Sequence, residues 1–222
     1  TTLATQIAVQ ILKGYGNGIV FYCSVEMGPA EIGLKALSCL AKQNCITPYE
    51  NRNEEGITHV ETLVAMEQNV LSRLHVYYGM RLEDILEACD LLNKNSDDPL
   101  LMVIVDFITS VQPIGEYATR SEAVGSVSKA LKAMAKRLEV PVLCCAQLNR
   151  GGAAAKTVSM KDLRDSGEIE QDADTVLLLH KPTDKEGALA GKVEIIIDKN
   201  RFGTADSLSL YPELHHHRFE EG

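Results

Sequence analysis

Short apolar runs alternate along the chain with longer segments in which apolar residues recur at helical spacing. The runs are rich in β-branched and aromatic residues and predict strands at residues 19–27, 74–79, 100–111, 141–148, 173–180 and 192–199. The segments between them predict helices at residues 30–42, 58–72, 82–93 and 126–138. A further helix opens the chain, with Leu3, Ile7, Ala8 and Ile11 on one face, whereas residues 43–55 show no clear period.

Buried strands that alternate with amphipathic helices are typical of an α/β domain with a mostly parallel sheet flanked by helices. The last predicted strands follow one another without a helix between them, so we expect antiparallel strands at the C-terminal end. A length of 222 residues fits a single domain, residues 1–222. Ligands of such sheets bind beyond the carboxyl ends of the strands, so we look for chemistry at that edge.

Composition narrows the classes of function. Hydrophobic residues make up 45% of the chain and charged residues 24%, which is ordinary for a globular protein. No apolar run approaches the roughly 20 residues that cross a bilayer, and no secretory signal opens the chain, so we expect a cytoplasmic protein with no membrane partner. The six cysteines form no CxxC pair, which indicates reduced thiols. A net charge of -9 means that any contact with nucleic acid must be local.

Several predicted strands end in polar side chains, which are Glu26, Asp106, Gln147, and Lys199 with Arg201. The VIVD sequence that ends at Asp106 has the form of a Walker B strand, whose carboxylate holds Mg²⁺. Structural interpretations stand beside the functional ones. They are capping for Glu26 and Asp106, a buried amide that ties two strands for Gln147, and a solvated turn for the two cations.

Four stretches, YCSVEM, AQLNR, DLRDSGEIEQDAD and KNRFG, occur in this order along the chain. Together they resemble the C-terminal ATPase domain of DnaB-type replicative hexameric helicases, and DLRDSGEIEQDAD is the most specific of them. The resemblance covers nearly the whole chain and implies the RecA-like P-loop NTPase fold. It places TTLATQIA directly after the lysine of a P-loop, so the P-loop and the family's N-terminal domain would lie upstream. We therefore expect residues 1–222 alone to be inactive.

The resemblance implies that the domain uses ATP and Mg²⁺. Thr1 matches the hydroxyl that holds Mg²⁺, with Thr2 next to it, and Asp106 matches the Walker B aspartate. Glu26 matches the catalytic glutamate, which polarises the attacking water. Gln147 matches the amide that senses the γ-phosphate.

Two cations match groups that act on the neighbouring subunit in this family. Arg201 corresponds to the arginine finger, and Lys199 lies beside it. The site would therefore be shared between the subunits of a homo-hexamer. Residues 212–219 align with the closing strand of the family's domain.

DNA contacts are implied in two loops. Arg164, Asp165 and Gly167 match the loop that holds the backbone of single-stranded DNA in the central channel, and Arg150 belongs to a second channel loop. The family implies 5′ to 3′ translocation, and a primase and a helicase loader as further partners.

Two other functions remain open from the sequence. The KNRFG motif also resembles RadA-type recombination ATPases, which act in branch migration. A non-catalytic ring or DNA-binding subunit without a P-loop would also fit, since no Gly-Lys-Thr motif occurs in residues 1–222.

Overall fold

The computed structural model describes residues 1–94, 97–149, 158–163, 167–181 and 191–221. Within these residues the helices are α1 (Thr2–Gly14), α2 (Pro29–Ala41), α3 (Ile46–Glu50), α4 (Glu54–Met66), α5 (Gln68–Leu71), α6 (Leu82–Asn93), α7 (Arg120–Leu138) and α8 (Gly167–Asp172). The strands are β1 (Ile19–Ser24), β2 (Leu74–Tyr78), β3 (Leu100–Asp106), β4 (Val142–Cys144), β5 (Thr175–His180), β6 (Val193–Asn200), β7 (Ser207–Glu213) and β8 (Arg218–Glu221). None of these helices is long and apolar enough to span a membrane.

The first four strands form a parallel sheet in the order β2-β1-β3-β4. Helices cover both of its faces, which confirms the predicted α/β class. On one face α1 and α2 pack against Val20, Tyr22 and Ile104. On the other face α6 and α7 pack against alternate residues of the same strands, Val103 and Val105 among them. Since side chains alternate along a strand, β1 and β3 are buried on both sides.

The last four strands form a separate antiparallel sheet in the order β5-β6-β7-β8. The predicted antiparallel direction is confirmed, and among the described residues these strands form a sheet of their own. A cleft of about 850 Å³ lies between β4 and β5, and α7 and the residues that follow α8 also line it. Strand pairing across the cleft is absent among the described residues, so β4 and β5 each end a sheet.

Several element boundaries differ from the predicted ones. The strand at 100–111 ends at Asp106, because the chain turns into a short 3-10 helix at Ile108–Ser110. The last predicted helix starts earlier, at Arg120, where Thr119 and Glu122 form a capping box. Residues 212–219 are not one strand, since β7 ends at Glu213 and β8 begins after a second 3-10 turn.

Candidate functional site

Backbone pairing brings three of the predicted site residues to one edge of the parallel sheet. Ser24 at the end of β1 lies opposite Asp106 at the end of β3. The next amide of the chain, that of Val25, donates a hydrogen bond of 3.0 Å to the carbonyl of Asp106. Glu26 therefore begins the loop that leaves β1 directly beside the Asp106 position.

The same edge continues to β4. The Cys145 amide donates to the carbonyl of Val105 at 2.9 Å, and its carbonyl accepts from the Ile108 amide at 2.9 Å. Gln147 follows two residues later. Adjacent strands lie about 4.8 Å apart, so Glu26, Asp106 and Gln147 leave three neighbouring strands at the same end.

Asp106 is the most enclosed of the predicted site residues at this edge, with 6% of its surface exposed. The Tyr22 hydroxyl donates a hydrogen bond of 2.9 Å to its Oδ2 atom. Burial and the nearby Asp106 charge raise the pKa of Tyr22, and the same two causes raise the pKa of Cys145 to about 12. Both groups therefore stay protonated at neutral pH, as neutral donors beside a carboxylate.

Thr1 stands at the start of α1 and close to Asp106. Its backbone nitrogen lies 3.6 Å from Oδ2 of Asp106, and its carbonyl accepts the Thr5 amide at 2.8 Å. Thr1 occupies the N-cap position, yet its side chain makes no capping hydrogen bond. The hydroxyl is thus not used by the helix, and Thr2, half-buried, is the first residue of α1.

The donor set at this edge suits Mg²⁺, which prefers oxygen ligands and keeps several waters. Thr1 supplies a hydroxyl that the helix does not use, and Asp106 supplies a carboxylate next to it. Among the described residues, no group of three or more His, Cys, Asp or Glu could hold a metal ion. These residues fit a hydrated ion shared with a phosphate better than a fully protein-bound metal.

The structural alternatives for Glu26 and Gln147 are wrong. Glu26 is exposed and does not cap α2, because Gly28 is the N-cap and its amide donates to Oε2 of Glu31 at 2.8 Å. Gln147 is also exposed, so its amide is not a buried tie between strands. Both side chains are exposed at the sheet edge, and neither makes a hydrogen bond or an ion pair with the residues that the structure describes.

Lys199 and Arg201 lie at the C-terminal end of α8. The Lys199 ammonium donates to the carbonyl of Glu170 at 2.6 Å. The Arg201 guanidinium donates to the carbonyl of Gln171 at 3.0 Å and to Oδ1 of Asp174 at 3.1 Å. Cations at this end of a helix interact favourably with its dipole.

Both cations therefore make contacts within the chain, and Arg201 is at the same time exposed in the turn that follows β6. Asp174 also pairs with Lys132, and Lys132 and Arg201 lower the pKa of Asp174, with the Lys132 hydrogen bond as the largest cause. Within the described part of the chain, neither Lys199 nor Arg201 makes a hydrogen bond or ion pair with Asp106, Glu26 or Gln147. The structure does not bring them into the site of the same chain.

The predicted DNA contacts fall mostly outside the described residues, where Arg150, Arg164 and Asp165 lie. Gly167 is described and begins α8 as an exposed residue with open space around its Cα atom. Glu168 follows it and pairs with Lys129 of α7, so one of the acids beside the predicted DNA loop is neutralised.

Two residues at these positions were missed from the sequence. Tyr22 counted only as part of an apolar run, although a fully buried tyrosine needs a partner for its hydroxyl. Asp174 counted only as part of the motif before β5, although it is the partner of Arg201. The sequence does show a hydroxyl-bearing Tyr22 within a strand predicted to be buried, whereas the position of Asp174 depends on tertiary contacts.

Structural comparison identifies similar folds. A solved ATPase domain matches with a TM-score of 0.80 and 23% identity, over 98% of this chain and 81% of that chain. A DnaB-like replicative helicase, solved in a study of its interactions with primase, matches with a TM-score of 0.80 and 22% identity, over 97% of this chain and 54% of that one. At these identities the matches show the fold alone, and they confirm the predicted RecA-like class.

Sequence comparison identifies the family. The replicative DNA helicase DnaB of Geobacillus stearothermophilus is 34% identical over 222 residues, which cover 95% of this chain and 47% of the relative. That of Leifsonia xyli is 31% identical over 230 aligned residues, which cover 100% of this chain and 49% of the relative. The chain thus spans about half the length of these relatives. The model of the DnaB-like helicase C-terminal domain matches residues 1–221, and the chain belongs to that family.

Proposed function

We propose that this chain is the motor domain of a ring-forming replicative DNA helicase that hydrolyses ATP with Mg²⁺. One observation carries the proposal. Glu26, Asp106 and Gln147 follow three adjacent parallel strands, and the start of α1 lies against Asp106. A carboxylate near water, a carboxylate near a metal and a neutral amide are the groups that phosphoryl transfer needs at one place.

The roles follow from burial and exposure. Asp106 and Thr1 would hold Mg²⁺, which supplies charge neutralisation for the phosphates when it is bound, and Thr2 would face the nucleotide. Glu26 is exposed and not engaged in capping, so its carboxylate is available to orient a water and accept its proton. Gln147, exposed on the next strand, can donate and accept a hydrogen bond and so respond to a terminal phosphate.

Lys199 and Arg201 would act on the nucleotide of the neighbouring subunit. Both cations are held at α8, Arg201 also by Asp174, and Arg201 keeps 48% of its side chain exposed. A guanidinium held by one carboxylate still has donors left for a phosphate of a second molecule. The proposal therefore includes a homo-hexamer in which each site is completed by the next subunit.

Single-stranded DNA would pass through this ring and contact Arg150, Arg164, Asp165 and Gly167. A net charge of -9 supports narrow contacts of this kind, because a broad acidic surface repels phosphate. The proposal includes a primase and a helicase loader as partners. It also includes translocation along DNA in the 5′ to 3′ direction and a location in the cytoplasm. A DnaB-like relative was itself solved in a study of its interactions with primase.

The test is the DNA-stimulated ATPase activity of the full-length gene product. Glu26→Gln removes the carboxylate and keeps the shape, so we expect a loss of about 100-fold or more. Glu31→Gln is the matched control, since Glu31 lies in the first turn of α2, directly after the loop of Glu26, and glutamine keeps an acceptor for the Gly28 amide. A full-length protein without ATPase activity, or an active Glu26→Gln variant, would contradict the proposal.

The RadA-type alternative is supported by the KNRFG motif alone. The family match over residues 1–221 favours the helicase. Strand-displacement assays of the full-length protein on forked DNA and on a four-way junction separate the two, because a helicase unwinds the fork and a branch-migration ATPase moves the junction. A non-catalytic ring subunit would do neither.

A further inference from the structure

The buried hydroxyl of Tyr22 has no part in the roles proposed above. Tyr22 is 0% exposed and lies opposite Ile104, two residues before Asp106, in the pairing of β1 with β3. In parallel strands paired residues point to the same face, so Tyr22 and Asp106 both face α1. Ser24 is opposite Asp106 and small, which leaves room for the Tyr22 ring to reach along the strand.

The contact itself is short and enclosed. The Tyr22 hydroxyl donates to Oδ2 of Asp106 at 2.9 Å, and Asp106 is 6% exposed. Water therefore has little access to replace this donor. Rotation of the Asp106 carboxylate would break this hydrogen bond and leave a buried oxygen without a donor, which costs free energy. The contact therefore restricts the rotation of the carboxylate.

We propose that Tyr22 is a positioning residue that holds the Asp106 carboxylate in the orientation required to bind the divalent cation. The inference rests on the proposed function, since it takes Asp106 as a metal-holding group. With Oδ2 engaged by the phenol, the carboxylate has one defined orientation relative to Thr1. Groups that orient a ligand in this way contribute to metal affinity without touching the metal.

The experiment measures metal binding directly in the full-length gene product. Mn²⁺ replaces Mg²⁺ as the probe, and its dissociation constant is determined by electron paramagnetic resonance with ADP present. Tyr22→Phe removes only the hydroxyl. Tyr77→Phe is the matched control, because the Tyr77 hydroxyl donates to Asp84 at 3.1 Å, away from Asp106. Asp106→Asn gives the reference for loss of the metal-holding group.

We expect Tyr22→Phe to weaken Mn²⁺ binding by about tenfold and Tyr77→Phe to leave it unchanged. Binding of a fluorescent ADP analogue without metal should be the same in both variants. If Tyr22→Phe is not folded by circular dichroism, Tyr22→Met, which lacks the hydroxyl and adapts its shape, is measured instead.

The other outcomes contradict the inference in distinguishable ways. A dissociation constant for Tyr22→Phe within about twofold of the wild type, with binding lost in Asp106→Asn, would refute the role of Tyr22 and leave the proposed site intact. Metal-free ADP binding weakened as much as Mn²⁺ binding would assign Tyr22 a general structural role. Mn²⁺ binding retained in Asp106→Asn would overturn both the inference and the proposed metal site.

Discussion

Arg73 closes the C-terminal end of α1, the helix that begins at the candidate site. Its guanidinium donates to the carbonyls of Leu12, Tyr15 and Gly18 at 2.7, 3.0 and 3.3 Å. Its Nε atom donates to the carbonyl of Asn69 at 3.0 Å. The last carbonyls of a helix have no partner within the helix, and this one cation satisfies the Leu12 carbonyl in the last turn together with two carbonyls of the chain that follows.

Arg73→Met removes these donors and keeps much of the side-chain volume. A hydrogen bond from a charged donor contributes about 1.5–3 kcal/mol when enclosed, and less where water can replace it. Arg73 is half-buried, so we take under about 1 kcal/mol for each contact and expect a total loss of about 2–3 kcal/mol in the free energy of unfolding. Arg73→Lys keeps the charge but not the planar fork, and should recover about half of the loss.

The assay is urea unfolding followed by far-ultraviolet circular dichroism. The wild type, Arg73→Met and Arg73→Lys are compared with one common value for the dependence of the free energy of unfolding on urea concentration. Arg137→Met is the control, because Arg137 pairs with Asp90 on the surface with 54% of its side chain exposed, and should cost under about 1 kcal/mol. A loss below about 0.5 kcal/mol for Arg73→Met, or equal losses for the Lys and Met variants, would refute the reasoning.

Three further predictions concern other parts of the chain. Thr119→Ala removes the acceptor for the Glu122 amide at the start of α7, and should lower the free energy of unfolding by about 1 kcal/mol in the same urea assay. Asp174→Asn should destabilise the protein at neutral pH. The folded-state pKa of Asp174 is lowered, so its contribution to the free energy of unfolding is present above the unfolded pKa of about 4 and is lost as the pH falls through the folded-state pKa. The difference in stability between Asp174→Asn and the wild type should therefore shrink in acid, and a difference that does not change with pH would contradict this. The full-length Glu26→Gln and Arg201→Ala variants should each be inactive alone. An equal mixture of the two should regain about a quarter of the ATPase activity, because one interface in four then has both an intact Glu26 and an intact Arg201. No recovery of activity on mixing would contradict a shared site.

Much of the site could be predicted because a parallel sheet brings the carboxyl ends of its strands to one edge. Glu26, Asp106 and Gln147 lie far apart in the sequence, yet each follows a strand, and strand order alone brings them together. Arg201 could be placed on a turn from sequence, but its partner Asp174 could not, since that pair depends on the register in which β5 lies against β6.

The fold was less predictable where burial is incomplete. Residues of β7 are mostly exposed, so the strand shows no apolar run. The face of α1 was predicted only in part. Ala8 is buried as expected, but Leu3, Ile7 and Ile11 are half-buried, and the other buried residues of the helix are Ala4, Thr5, Val9 and Leu12. Apolar residues occur on both sides of this helix, so hydrophobic spacing alone does not decide which side packs against β1 and β3.

The cleft between β4 and β5 has a consequence for handling the protein. Each bordering strand presents a row of amides and carbonyls without strand partners among the described residues, and apolar side chains line the space. Unpaired strand edges of this kind are templates to which an extended segment of another chain can add. We therefore expect addition of strands between molecules at these two edges to limit the solubility of the protein at high concentration.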